Sequence, residues 1–181
     1  MNQLFESRKN VHVLYSYLEM ENYLEQVASF IENGIKAGEY TILVENDRLY
    51  PFIKNELSLR VSKVQMKYVH FVNSLSFYYS SGSYHPPAIA AYFNEMIKPY
   101  VENDVSFRSW AHVEWSSMEE PLYLIRDFEE IVDKAVNEVE FPLICAYSGI
   151  RMPEYLKDIL LETHPYVLVE DDLLVSEKYK R

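Results

Sequence analysis

The strongest constraint on this chain is a set of short apolar runs that recur with amphipathic segments between them. The first instance spans residues 11–45, VHVLYSYLEMENYLEQVASFIENGIKAGEYTILVE. Residues 11–15 are rich in β-branched and aromatic side chains and read as a buried strand. Tyr23, Leu24, Val27, Phe30 and Ile31 then fall at helical spacing, so a helix from Glu19 or Glu21 to Lys36 carries one apolar stripe. Glu19 and Glu21 suit the positive end of its dipole, and Gly38 ends it. Residues 40–45 are apolar almost without a break, as in strands covered on both faces within a parallel sheet.

The alternation continues to the end of the chain. A turn at Asn46-Asp47 leads to a helix at 48–59, then a strand at 67–72. Pro86-Pro87 opens a helix at 86–100, followed by a strand at 105–113, a helix at 121–139 and a strand at 141–147. A short helix at 152–161 and an edge strand at 166–169 complete the series. One α/β domain over residues 1–181, three layers deep with a mainly parallel sheet, accounts for this order. Residues 1–10 and 174–181 read as flexible tails, and NSLSFYYSSGSY at 73–84 reads as a mobile loop.

In such domains ligands gather where loops leave the carboxyl ends of the strands. The first of these loops, SYLEM at 16–20, contains no glycine. A phosphate-cradling loop needs glycines so that backbone N–H groups can close on the anion. No G-x-G-x-x-G or G-x-S-x-G segment occurs either, which argues against dinucleotide enzymes and serine hydrolases. A formal net charge of −11 argues against nucleic acid and against an anionic membrane surface as partners. Cys145 is the only cysteine, so no internal disulfide forms and a reducing compartment is expected. It lies within LICAY and reads as an inert buried thiol. There is no signal-like segment and no apolar run of about 18 residues, so the expectation is a soluble, cytoplasmic protein with no membrane partner.

Tyr15, Tyr17, Asn46, Asp47, Glu114, Trp115 and Tyr147 sit at strand ends and should converge on one rim, with Glu21 at the start of the first helix. Aromatic faces with a few carboxylates suit a small apolar or cationic molecule. The plainer alternative is that some of the sixteen tyrosines simply close the sheet's edge. His12 completes the candidate set, although a lone histidine in a buried strand is more often a hydrogen-bonded structural residue. The five histidines show no H-x-x-x-H or H-E-x-x-H pairing. His112 and Glu114 share a strand face, but two ligands do not make a metal site. Neither a metal nor a cofactor is expected.

Several segments together are more specific. HVLYSY at 12–17, FIENGIKAGE at 30–39, LVEND at 43–47 and VEW at 113–115 resemble the MEDS family, the sensory domain of methanogens, methylotrophs and the dichloromethane-responsive regulator. FEE at 128–130, LICAYSG at 143–149, THPYVLV at 163–169 and SEKY at 176–179 extend that resemblance in order. It implies a RecA- or KaiC-like core with a degenerate phosphate loop. It also implies a non-enzymatic role in prokaryotic signal transduction, sensing small hydrocarbon-derived molecules for a histidine kinase or transcription regulator. The polar and aromatic residues it matches are His12, Tyr15, Glu114, Trp115, Glu129, Cys145, Tyr147 and His164. Only a short charged tail follows these motifs, so the signal is expected to reach a separate protein, and self-association stays open. The alternative is a ligand-free interaction module that antagonises a kinase or regulator. A residual nucleotide-binding or hydrolytic activity, with Glu114 activating water, lacks the phosphate-binding Lys and the metal-binding Ser or Thr.

Overall fold

The computed structural model describes Phe5, residues 8–115 and residues 122–180. Six strands, β1 (His12–Tyr17), β2 (Tyr40–Glu45), β3 (Val69–Asn73), β4 (Phe107–His112), β5 (Leu143–Ser148) and β6 (Tyr166–Val169), pair in parallel, and β7 (Asp172–Val175) closes antiparallel on β6. The order across the sheet is β3-β2-β4-β5-β1-β6-β7. β6 is therefore one strand in from the edge expected for it, with β7 outside.

Alternate residues of each strand face opposite layers. Val13, Tyr15 and Tyr17 of β1, Leu43 of β2 and Trp110 of β4 pack under α1 (Met20–Lys36) and α2 (Tyr50–Ser58), which contribute Tyr23, Val27, Phe30, Ile31, Ile53 and Leu57. Leu14, Ile42, Val44, Cys145 and Tyr147 face the other way. They meet α3 (Ser74–Tyr78), α4 (Pro86–Glu102), α5 (Ile125–Val139) and α6 (Glu154–Thr163) through Tyr78, Ile89, Phe128, Val136 and Leu160. The sheet thus lies between two helical layers, which is why its strands carry no polar face.

Three expectations change. Residues 73–84 are not a loop throughout: Asn73 caps α3 by accepting a hydrogen bond from the Ser76 amide, and Phe77, Tyr78 and Tyr84 are buried. Of the amino-terminal residues described, Phe5 is buried edge-on against Phe30 and Lys9 is ion-paired to Glu39. At the other end, Ser176 donates to the Leu161 carbonyl at 2.6 Å and Tyr179 to Asp133 at 2.7 Å. Both ends are polar enough to read as tails, yet each hides one or two residues that pack. The helix start expected at Pro121 lies outside the described residues; within them, a 3-10 turn at Leu122–Leu124 precedes α5. Among the described residues no helix is long and apolar enough to cross a membrane.

Candidate functional site

Neighbouring strands β2 and β4 send the chain to opposite faces: β2 leads into α2, and β4 leads towards α5. Such a divergence opens a crevice at the carboxyl ends of the strands. An open cleft of about 560 Å³ lies there, lined by Asn46, Asp47 and Arg48 after β2, Ser74 and Tyr78 of α3, Glu114 and Trp115 after β4, and Arg151 after β5.

Beside it, joined through Asn46 and the residues after β4, lies a buried polar network. Glu45, at the last position of β2, has no solvent exposure. It accepts hydrogen bonds from the Tyr23 hydroxyl, from the Asn46 amide at 2.7 Å and from His112 Nδ1 at 2.7 Å. Tyr23 in turn accepts from the Trp110 indole at 3.0 Å, and the Tyr17 hydroxyl lies 2.8 Å from His112 Nε2. Burial alone depresses an imidazole pKa, but the Glu45 hydrogen bond and charge, aided by Glu114, hold His112 above its ordinary value. Burial, reinforced by Glu45, pushes the Tyr17 phenol up to about 12, so it stays a neutral donor.

Glu114 forms the wall above. The Ser74 hydroxyl donates to one oxygen at 2.6 Å and the Asn46 side-chain amide to the other at 3.2 Å. Asn46 also accepts from the amides of Arg48 and Leu49, so one side chain orders the turn into α2 and orients the carboxylate. Glu45, His112 and Glu114 place donor atoms within 4.8 Å of one another. Their lone pairs are already taken up by Tyr17, Tyr23, Asn46 and Ser74, which leaves little for an ion. By contrast, the Trp115 indole N–H and the Tyr78 hydroxyl are buried in the cleft wall without a hydrogen-bond partner.

The structure therefore brings Asn46, Asp47, Glu114 and Trp115 together around the cleft, with Tyr17 beside them in an adjoining recess of about 90 Å³. It does not bring the other four. Glu21 is exposed in the first turn of α1. Tyr15 sits mid-strand against Tyr23 and Trp110. Tyr147 points below the rim to Glu129, and His12, the first residue of β1, faces Glu129 and Asp133 on α5. Strand alternation decides this: position along the strand was legible in the sequence, but not which layer each side chain met. Sequence reasoning also missed Ser74, Tyr78 and Arg151: the first two belong to a short helix just past the strand end at Asn73, in a stretch that reads as a loop, and Arg151 lies beyond the end of β5.

The loop after β1 takes an unexpected form. Tyr17 turns inward, whereas Leu18 and Met20 are exposed. Gly149, after β5, presses on this loop so closely that a Cβ there would lie 2.8 Å from Ser16 Oγ and 2.9 Å from Leu18 Cδ2. The loop after β1 is thus packed against the turn after β5. A second cavity, about 40 Å³ and apolar, lies under α4 and α5 among Val44, Phe77, Ile89, Ala111, Phe128 and Cys145.

A search of curated proteins finds no match. A family model does match, over residues 11–165, and its description reads MEthanogen/methylotroph, DcmR Sensory domain. That span takes in β1 to α6, including every residue of the cleft, and the chain belongs to the MEDS family of sensory domains.

Proposed function

We propose that this chain is a non-enzymatic sensor whose cleft at the ends of β2, β3 and β4 takes a small molecule with one polar handle on a short apolar body. The observation that carries this reading is the cleft lining, where the Glu114 carboxylate stands beside Trp115 and Tyr78, two residues whose indole N–H and hydroxyl are buried without a partner and which a shift of the wall on binding would bring to a ligand. Leaving such donors unpaired costs about 1–3 kcal/mol each, which a ligand acceptor recovers. The parallel strand order and the packed loop after β1 support descent from a RecA- or KaiC-like nucleotide-binding core whose phosphate grip is gone. Binding biases α3, which walls the cleft, and a separate histidine kinase or transcription regulator reads its position. A ligand shifts such an equilibrium only by its differential affinity for the two arrangements.

The test is a thermal-shift screen with short-chain alcohols, amines, carboxylic acids and chlorinated alkanes. A ligand at 100 times its Kd should stabilise by about 2.7 kcal/mol. For a chain of this size that is a rise of roughly 5–10 °C. Trp115→Phe, which removes the indole donor and keeps the bulk, should abolish the shift. A screen without any shift overturns the reading.

The apolar cavity favours a second version, in which a one- or two-carbon hydrocarbon enters beside Cys145. A shift that survives Trp115→Phe but disappears in Ala111→Val, which fills that cavity, selects it.

A further inference from the structure

On the face of the sheet opposite α1, four chemically reactive side chains meet in the interior. His12 comes from β1, Cys145 from β5, Glu129 from α5, and His164 follows α6. His12, Glu129 and His164 have no solvent exposure, and Cys145 has 1%. One donor atom from each lies within 4.8 Å of the others. His12 Nε2 is 3.3 Å and His164 Nε2 3.4 Å from Glu129 Oε2, and Cys145 Sγ is 3.5 Å from His12 Nε2.

The outer partners of these groups fix which atoms point inward. His12 Nδ1 faces the Asp133 carboxylate at 3.1 Å, and His164 Nδ1 faces the Leu160 carbonyl at 2.8 Å. Carboxylate and carbonyl oxygens only accept, so both Nδ1 atoms carry hydrogen. Glu129 Oε1 accepts the Tyr147 hydroxyl, and the Tyr179 hydroxyl holds Asp133 in turn. What remains inward is Glu129 Oε2 and His164 Nε2, both buried without a hydrogen-bond partner, together with His12 Nε2 and the sulfur. Lone pairs gathered in a dry interior repel unless a cation lies among them. A proton on His12 Nε2 serves Glu129 at best and leaves His164 Nε2 unanswered. A metal ion answers all four.

We propose that His12, Glu129, Cys145 and His164 form a closed tetrahedral site for a divalent d-block cation, with zinc the foremost. Tetrahedral bonds of about 2.0–2.3 Å put neighbouring ligand atoms roughly 3.3–3.7 Å apart, the range of the contacts above. Imidazole and sulfur select zinc, cobalt, iron or copper, whereas calcium and magnesium take oxygen. On binding, the Cys145 thiol gives its proton to solvent as the metal–sulfur bond forms. The thiolate and the Glu129 carboxylate then balance the charge of the cation, so the buried centre is neutral. Carboxylate–histidine and carbonyl–histidine pairs are the usual outer shell of such sites. With four buried protein ligands, the centre ties β1, β5, α5 and the turn after α6 together and leaves no position for a substrate.

The whole chain, produced in zinc-supplemented medium and purified without chelator, should carry about one zinc per molecule by mass spectrometry. After chelator treatment, cobalt should restore visible ligand-field bands and a near-ultraviolet sulfur-to-cobalt band. Cys145→Ser should lose the near-ultraviolet band, and Asp133→Asn should weaken zinc binding roughly 10–100-fold. If Cys145→Ser does not fold, the wild-type cobalt spectrum still decides. Glu114→Gln, at the rim, should keep its zinc, and loss of the metal from that variant overturns the assignment. So does wild-type protein with under about a tenth of an equivalent of metal and no cobalt spectrum.

Discussion

Arg108 shows how a single side chain can hold two layers of this protein. It lies on β4, 4% exposed, and its guanidinium donates to Glu39 at 2.6 and 2.7 Å and to the Phe30 carbonyl at 3.3 Å. Its stem crosses α1 at Gly34, where a Cβ would come within 2.8 Å of Arg108 Cδ, so only glycine leaves it room. Removing one partner of a buried pair strands the other charge. Glu39→Gln should therefore cost about 3–5 kcal/mol, seen as a lower urea midpoint with an unchanged slope. His112 gives a prediction in pH. Its pKa is raised in the folded state by Glu45 and Glu114 against the effect of burial and of Arg151, so folding takes up protons. That stabilisation is full below the unfolded value of about 6.5 and is lost as pH rises through the folded value. Melting curves of wild type and His112→Asn should lie furthest apart below pH ~6.5 and converge in the alkaline range.

Among the elements, strands were the most legible and short helices the least. β2 and β5 announce themselves as unbroken apolar runs because both their faces are covered. α3 spans only Ser74–Tyr78, too short for a helical period to show, and the buried Phe77 and Tyr78 look in sequence like part of an aromatic loop. Its one sequence signal was the capping residue Asn73, whose side-chain oxygen receives the Ser76 amide at 2.9 Å. Asn73→Ala should cost about 1 kcal/mol in equilibrium unfolding. Because α3 supplies Ser74 and Tyr78 to the cleft, the same change should weaken any ligand found in the thermal-shift screen. The rim was legible from strand ends alone, giving Asn46, Asp47, Glu114 and Trp115. The buried cluster was legible only in part: the family resemblance names His12, Glu129, Cys145 and His164, but they are scattered along the chain with no ligand spacing, and only the folded sheet brings them together.

Taken as a whole, the molecule is stitched at its carboxyl end. Ser176 bonds to the last turn of α6, Lys180 pairs with Glu162, and Tyr179 reaches Asp133 on α5. Deleting residues 176–181 removes these bonds and should lower stability by roughly 2–4 kcal/mol, read from denaturant unfolding. The position of β1 has a consequence for how the chain folds. Its ladder partners are β5 and β6 alone, so this interior strand, first of the sheet in sequence, finds no neighbour until Leu143–Ser148 has been synthesised and no second one until Tyr166–Val169 has. The segment from β2 to β4 can pair earlier as a separate half-sheet. During translation the apolar first strand therefore waits, dependent on collapse against α1 or on a chaperone, until β5 and β6 have left the ribosome. The sheet closes around its oldest strand last.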